Sequence, residues 1–537
     1  MPQKTSFCFR LAPLVFCALL GIDGGAAIAR TTQLLPPSGN GSVRAVVVGI
    51  DRYANVKNLL GAVADARDIE QTLRSAGVTD IAVMIDEAAT RRNFWNAMNR
   101  LVEVSQSGDL VIVSFAGHGA QTPERVKGSE VDGMDEIFLL SAFSEKGPNT
   151  AERVLDDEIN AWMSRLDKQD VNVLFIADTC HGGGLLRKPD LRVGEISYRW
   201  AGTVSLIDDG LKPVSTDQDA RLKINDMPNV TFLAAVDKFS KAPEVTIPGN
   251  RTKRGALSYA VARAIDRGQS GSVTREQLFK SARQLTYQYS QTQQSIATEP
   301  TGQSAQLDKP IFKLEVTGPD YKPGLADAVR VRLQNMPESS LSELRTGEFK
   351  LKIVHDNESA DLIWDASKGE VLSQLGDLIA KCSRPDDITA IVDRTGSITA
   401  LTKLSETGAQ DIKLLPNDKR FRKGDLVRFK IVDVAKKFLI LINISGDGTV
   451  RFLFPSRATD APLIQSDSFE LPLKVSEPYG SDHVVAIVSD ERLLPLEAEL
   501  GKLDGRKVAG ALPNIITQYL SPDRNSRLGL AALFTVQ

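Results

Sequence analysis

Between residues 43 and 316, short continuous apolar runs alternate with stretches whose apolar residues recur at helical spacing. VRAVVVGI (43–50), IAVMI (81–85), DLVIVSF (109–115), EIFLLS (136–141), VNVLFIA (171–177), VTFLAAV (230–236) and PIFKL (310–314) predict strands. The segments between them predict helices over 62–76, 91–104, 156–166, 255–266 and 274–289. Strands that are apolar throughout are buried on both faces, so the rhythm predicts an α/β domain: a doubly wound, mostly parallel sheet with helices on both sides. In such sheets reactive groups gather beyond the carboxyl ends of the strands.

Past residue 316 the rhythm breaks. VTGPDYKPG (316–324) reads as a linker punctuated by Pro and Gly. Residues 325–412 read as a small mixed α/β module, with FKLKIV (349–354), ADLIWD (360–365) and a helical-looking LSQLGDLIAKC (372–382). The module shows no nucleophile–base pair, and its His355 reads as a surface residue. From 420 to 537, GDLVRFKIVD (424–433), KFLILINISGDGTVRFLFP (437–455) and HVVAIVSD (483–490) alternate apolar and polar positions around turn signals, predicting an antiparallel β domain, sandwich or barrel.

At 537 residues and 42% hydrophobic content the chain has room for several buried cores. Its 65 basic and 68 acidic residues leave a net charge of −3, which supplies no electrostatic reason to expect nucleic acid or an anionic membrane surface as a partner. Residues 1–29 read as a signal peptide: Lys4 and Arg10, the apolar LAPLVFCALL (11–20), then the small Ala27-Ile28-Ala29. The apolar run is too short to span a bilayer, which needs about 20 residues, and no later stretch reaches that length. The expected location is therefore periplasmic or secreted. Removing the leader removes Cys8 and Cys17 and leaves Cys180 and Cys382. A bridge between these two would block Cys180, so Cys382 is expected to be a buried or unpaired thiol.

Two strands end in chemistry. DLVIVSF runs into AGHG with His118, and VNVLFIA runs into DTCHGGG with Cys180, so one edge of the sheet receives an imidazole and a thiol. A thiol is weakly ionised at its free pKa of about 8.5, and a neighbouring imidazole can take its proton and return one to a leaving amine. His118 and Cys180 are thus the expected catalytic base and nucleophile. The flanking glycines let backbone approach a substrate carbonyl closely, so the N–H groups of Gly119 and Cys180 are the expected oxyanion donors.

Strand-then-GHG together with strand-then-D-x-C-H-x-G resembles the caspase-like cysteine peptidases of family C14, and among them the metacaspase and orthocaspase branch. The resemblance covers residues 43–316. It implies a caspase-like fold and an endopeptidase working through an acyl-enzyme. It also implies an acidic pocket for the residue before the scissile bond, with Asp178, two before the cysteine, and Asp65 in GAVADARD (61–68) as its carboxylates. Protein or peptide substrates with Arg or Lys at that position follow, since two carboxylates match a guanidinium or ammonium group. Ala116 stands where the family often has serine, which removes one small pocket contact.

The resemblance requires no cofactor but brings calcium into question. EVDGMDE (130–136) and LDDE (155–158) resemble acidic segments that help bind calcium in several metacaspases, which makes Asp156 and Asp157 candidate ligands; both also suit the first turn of a helix. Arg187 falls where a further ligand would be needed and cannot serve. The basic segment after Cys180 is where such enzymes can be self-processed, with Arg187, Lys188 and Arg192 as the nearest candidates, or it is simply a solvated loop. The C-terminal part resembles a β-rich domain of unknown function often fused to bacterial caspase-like peptidases, for which an envelope protein partner is a fold-level expectation. A rival class remains: a non-catalytic envelope scaffold, in which the peptidase-like domain only binds.

Overall fold

The computed structural model describes residues 30–536 except 125–132, 181–196, 207–222, 237–241, 248–251, 291–293, 302–305, 319–327, 336–346, 356–359, 374–375, 383, 417–420, 456–461 and 521–524. The signal-peptide segment 1–29, part of EVDGMDE and the candidates Arg187, Lys188 and Arg192 lie outside the described residues.

Six strands form the central sheet: β1 (Val43–Gly49), β2 (Asp80–Ile85), β3 (Leu110–Ala116), β4 (Asn172–Asp178), β5 (Val230–Ala234) and β6 (Ala297–Glu299). Their spatial order is β6-β5-β4-β3-β1-β2, with β1 to β5 parallel and the edge strand β6 antiparallel. Helices α1 (Ala62–Ser75), α2 (Arg91–Val104), α3 (Asp156–Lys168), α4 (Ala256–Arg267) and α5 (Arg275–Tyr289) occupy the predicted segments. Because successive strand residues face opposite ways, the apolar runs feed two cores. Val46, Val111, Val113, Val173 and Phe175 pack with Phe94 and Met98 of α2 and Trp162 and Leu166 of α3. Ala45, Val47, Ile112, Leu174 and Ile176 pack on the other face with Ile69 and Leu73 of α1, Leu257 and Val261 of α4, and Leu278 of α5. Each fully buried Val, Leu, Ile or Phe stabilises by about 1.5–3 kcal/mol relative to exposure, which makes a slip of register prohibitive.

Two expected members of this sheet are elsewhere. EIFLLS forms the strand Met134–Leu139 of a separate four-stranded sheet, between Arg153–Leu155 and Gly119–Pro123, with Trp200–Thr203 at its edge. PIFKL lies in Pro310–Thr317, antiparallel to Thr31–Leu35 and Gly271–Thr274.

The next unit has a five-stranded sheet built from Val329–Gln334, Leu351–Val354, Leu362–Asp365, Glu370–Ser373 and Leu378–Lys381. The helix expected over 372–382 is instead this last antiparallel pair. Gly376 (φ 78°) takes the left-handed backbone of the turn, and Asp377 N–H donates to the Ser373 hydroxyl at 3.1 Å. His355 is exposed. Helix Pro385–Ser405 covers the sheet through Ile388, Ile391 and Val392. Farther on, the strands Ile412–Leu415, Leu426–Val432 and Ser468–Lys474 face a larger sheet that includes Lys437–Ile444, Ser481–Ser489 and Arg527–Val536, enclosing Leu414, Phe429, Leu441 and Ala486. The strand pattern did not predict the helices Leu494–Gly501 and Leu512–Thr517, which cover the outer face of the larger sheet with the far end of Pro385–Ser405.

Helix α5 joins the two halves. Gln284 accepts from Ile412 N–H at 3.1 Å and donates to the Leu530 carbonyl at 3.2 Å, and Tyr289 Oη donates to Glu406 at 2.5 Å. Among the described residues no helix is long and apolar enough to cross a membrane.

Candidate active site

His118 follows the end of β3 and Cys180 the end of β4, adjacent parallel strands with Ala116 opposite Asp178. The topology therefore delivers both residues to one edge, as the pattern predicted. Nε2 of His118 lies 2.7 Å from the carbonyl oxygen of Lys57. A carbonyl only accepts, so Nε2 carries the hydrogen, and in the neutral ring Nδ1 keeps its lone pair. Nδ1 is buried with no hydrogen-bond partner among the described residues, available as a base. The backbone N–H of His118 donates to Tyr53 Oη at 2.8 Å, and the two rings lie 4.9 Å apart. Burial pushes the His118 pKa down, while the carbonyl of Lys57 opposes this. Cys180 is completely buried; its Sγ accepts the N–H of Ala242 at 2.6 Å, yet burial outweighs that bond and pushes the thiol up to about 12. At rest the thiol and the imidazole are thus both neutral.

The expected oxyanion donors converge on one atom. Gly119 N–H and Cys180 N–H donate at 3.1 and 3.3 Å to the carbonyl oxygen of Arg199. The side chain of this residue enters the acidic pocket. Its Nη1 lies 3.0 Å from Asp178 Oδ1, its Nη2 pairs with Asp65 Oδ2, and Glu244 Oε1 is 3.6 Å away. Arg199, Asp65, Asp178 and Glu244 all have 0% exposure, so these charges face one another away from solvent. Burial alone would lower the Arg199 pKa, but the three carboxylates prevail and hold the guanidinium firmly charged. Asp65 is pushed well above the usual carboxylate range by burial, against the pull of Arg199 and with a further push from Asp178.

Helix N-termini supply the backbone partners of the three acids. Asp178 Oδ2 accepts Ser258 N–H in the first turn of α4 at 2.8 Å, and Asp65 accepts Gly255 N–H at 2.9 and 3.0 Å. Glu244 accepts Gly61 N–H at 2.8 Å and Leu60 N–H at 3.0 Å, just ahead of α1. Positive helix ends thus face the carboxylates. Gly255 is required by close approach: a Cβ there would overlap the Asp178 carboxylate and the Arg199 guanidinium.

The structure therefore brings Asp65, Asp178, Gly119 and Cys180 together around Arg199, with the Arg199 main chain near enough to His118 to oppose the fall in its pKa. Tyr53, Lys57, Arg199 and Glu244 went unnoticed in the sequence. Arg199 carried a signal, as one of the basic residues of the segment after Cys180. Asp156 and Asp157 open α3, where Asp156 Oδ1 accepts Asp157 N–H at 3.0 Å. Among the described residues no three His, Cys, Asp or Glu side chains gather as an ion site would require. Cys180 and Cys382 are both buried free thiols.

Parts of the chain are similar to known proteins. Residues 43–189 match the family model described as metacaspase, peptidase C14 domain. A metacaspase-1 of Pyricularia oryzae is 27% identical over 298 residues, covering 48% of this chain and 72% of that protein. A metacaspase-1 of Saccharomyces cerevisiae is 31% identical over 158 residues, covering 28% of this chain and only 35% of its own length. The crystal structure of caspase-1 from Spodoptera frugiperda overlaps 52% of this chain and 86% of its own, at 12% identity and a TM-score of 0.29.

Proposed function

We propose, from the premise that this chain carries a caspase-like cysteine peptidase domain of the C14 family, that it is an endopeptidase cutting protein or peptide substrates after Arg or Lys. Cys180 Sγ attacks the carbonyl carbon as its proton passes to His118 Nδ1, and the N–H groups of Gly119 and Cys180 hold the developing oxyanion. His118 then protonates the leaving amine, and water hydrolyses the thioester with His118 as base. Lys57 and Tyr53 position His118. Asp65, Asp178 and Glu244 select the cation. One observation carries this reading: an arginine side chain lies among the three carboxylates while its own carbonyl accepts from both oxyanion donors. No step is assigned to calcium, and Asp156 and Asp157 act through the first turn of α3.

The complete burial of Cys180 favours a second reading, a non-catalytic envelope scaffold. Purified protein and Cys180→Ala, given fluorogenic peptides ending in Arg, Lys or Asp with calcium or a chelator, separate the two. Turnover after Arg or Lys that the variant lacks supports the enzyme, and turnover after Asp rejects the pocket. No turnover in any lane supports the scaffold. The leader-like residues 1–29 support export to the periplasm or beyond, where the C-terminal units would meet an envelope partner; cell fractionation tests the location.

A further inference from the structure

We propose that the junction between the peptidase domain and the C-terminal units holds a binding site for one small oxyanion, a phosphate or a carboxylate, built on Arg394 and independent of the peptidase chemistry. A cavity of about 90 Å³ lies at this junction. Helix α5 contributes Gln288 and Tyr289 to its wall, helix Pro385–Ser405 contributes Arg394, and strand Ser481–Ser489 contributes Ser481 and His483. A single water needs ~10–15 Å³ of such space, so the cavity has room for an ion of about five heavy atoms.

Arg394 is 3% exposed and forms no ion pair with a carboxylate among the described residues. Its Nη2 meets the Ser481 carbonyl and hydroxyl, each at 3.0 Å, and His483 Nδ1 at 2.8 Å, all neutral acceptors. Its Nε is buried with no hydrogen-bond partner among the described residues. Burial pushes the guanidinium down to about 10, against the pull of Asp482, which leaves it charged at neutral pH. Asp482 stands between Ser481 and His483 in the strand and so projects from the opposite face, where its Oδ1 accepts Asn443 Nδ2 at 2.9 Å. Burial, and then the Arg394 charge, hold the His483 pKa well below its ordinary value, so its ring is neutral. With Nδ1 accepting, the ring hydrogen is on Nε2, a further donor in the wall. Gln288 Nε2 is a third donor, buried and likewise without a partner among the described residues. The acid on this wall, Asp361, is already matched: it accepts Arg330 N–H at 2.8 Å and pairs with the Arg330 guanidinium at 3.2 Å.

Packing alone accounts for the three Nη2 contacts and leaves the rest unexplained. Water in the cavity would meet the open N–H groups but supply no charge, and a buried guanidinium without a counter-charge is costly. A cation is repelled by Arg394, and an apolar guest would leave the donors unmet. An oxyanion brings both the charge and the lone pairs, arranged as the guanidinium fork receives them. A halide brings the charge without that geometry.

The test is isothermal titration calorimetry of the full-length protein with inorganic phosphate, acetate or chloride at constant ionic strength, repeated with Arg394→Met and Arg394→Lys. The expected result is one equivalent of phosphate or acetate bound with a Kd below about 1 mM, and chloride bound at least about tenfold more weakly. The tighter of the first two names the ligand class, phosphate or carboxylate. Arg394→Met removes the charge and its donors and should weaken binding at least about a hundredfold; Arg394→Lys keeps the charge without the fork and should weaken it about tenfold. Arg394→Lys guards against misfolding of the Met variant, and urea unfolding gives a second reading: the tighter anion at about 100 times its Kd should raise the midpoint of the natural protein more than that of either variant. Equal affinity in the natural protein and in either variant overturns the site. Chloride bound as tightly as phosphate and acetate overturns the oxyanion, and neither heat nor stabilisation from any of the three means a cavity filled by water and overturns the inference.

Discussion

Asp65→Asn should separate a pocket built for a cation from a cluster that merely holds the fold. Asp65 accepts Gly255 N–H at 2.9 and 3.0 Å and pairs with Arg199 Nη2. The Asn amide keeps one oxygen for Gly255 but offers the guanidinium either no charge or a second donor. The loss is one charge-assisted hydrogen bond, about 1.5–3 kcal/mol. At about 1.4 kcal/mol per decade, kcat/KM for an Arg peptide should fall about ten- to 150-fold. A citrulline peptide, similar in shape but uncharged, keeps N–H donors yet forms no ion pair with Asp65, and should lose less than the Arg peptide. Measuring kcat/KM for both peptides with both enzymes closes a cycle in which folding damage cancels. Equal losses on Arg and citrulline would refute the pocket assignment, as would an Arg loss under about threefold.

Other consequences are equally direct. Asp65 must be ionised to receive a cation and burial raises its pKa, so KM for an Arg peptide should climb as pH falls, starting well above the usual carboxylate range; a KM that stays flat down to the usual carboxylate range would contradict this. With the Cys180 thiol pushed up to about 12, its thiolate fraction at pH 8 is about a thousandfold below that of a free cysteine. Alkylation of the protein by iodoacetamide should be slower in proportion, and a rate near that of free cysteine would show the thiol is not so buried. Tyr53→Phe removes the acceptor of His118 N–H, about 1 kcal/mol, and should lower kcat about fivefold with KM kept; an effect on KM alone would deny Tyr53 its positioning role. Gly255→Ala places a methyl against Asp178 and Arg199 and should cost about 1–3 kcal/mol in urea unfolding and end Arg-peptide hydrolysis; unchanged kinetics would show the pocket is roomier than its geometry indicates.

Legibility tracked the range of the interaction. The helices α1 to α5 and the strands β1, β3 and β4 were readable because an apolar period is a local property, and burial on both faces leaves the sheet one register. His118 and Cys180 were readable because position in a parallel strand decides which edge its end reaches. The segment 372–382 was misread because its apolar spacing fits a helix, while the turn at Gly376 and Asp377 is fixed by one left-handed residue and one side-chain bond. The strand character of Met134–Leu139 was visible and its partner was not, since period alone names no neighbour.

By itself, then, the sequence determined an α/β domain with a thiol and an imidazole at one edge of its sheet, and the resemblance it carries implied Asp65 and Asp178 as pocket carboxylates. Only the tertiary structure decided what those carboxylates face. Arg199 reaches Asp65 across 134 positions of chain, Glu244 reaches Gly61 across 183, and the Lys57 carbonyl selects the His118 tautomer across 61. Such contacts leave no period in the sequence. They exist because folding removes water from this edge, and there a buried charge must find its partner within the protein, wherever along the chain that partner lies.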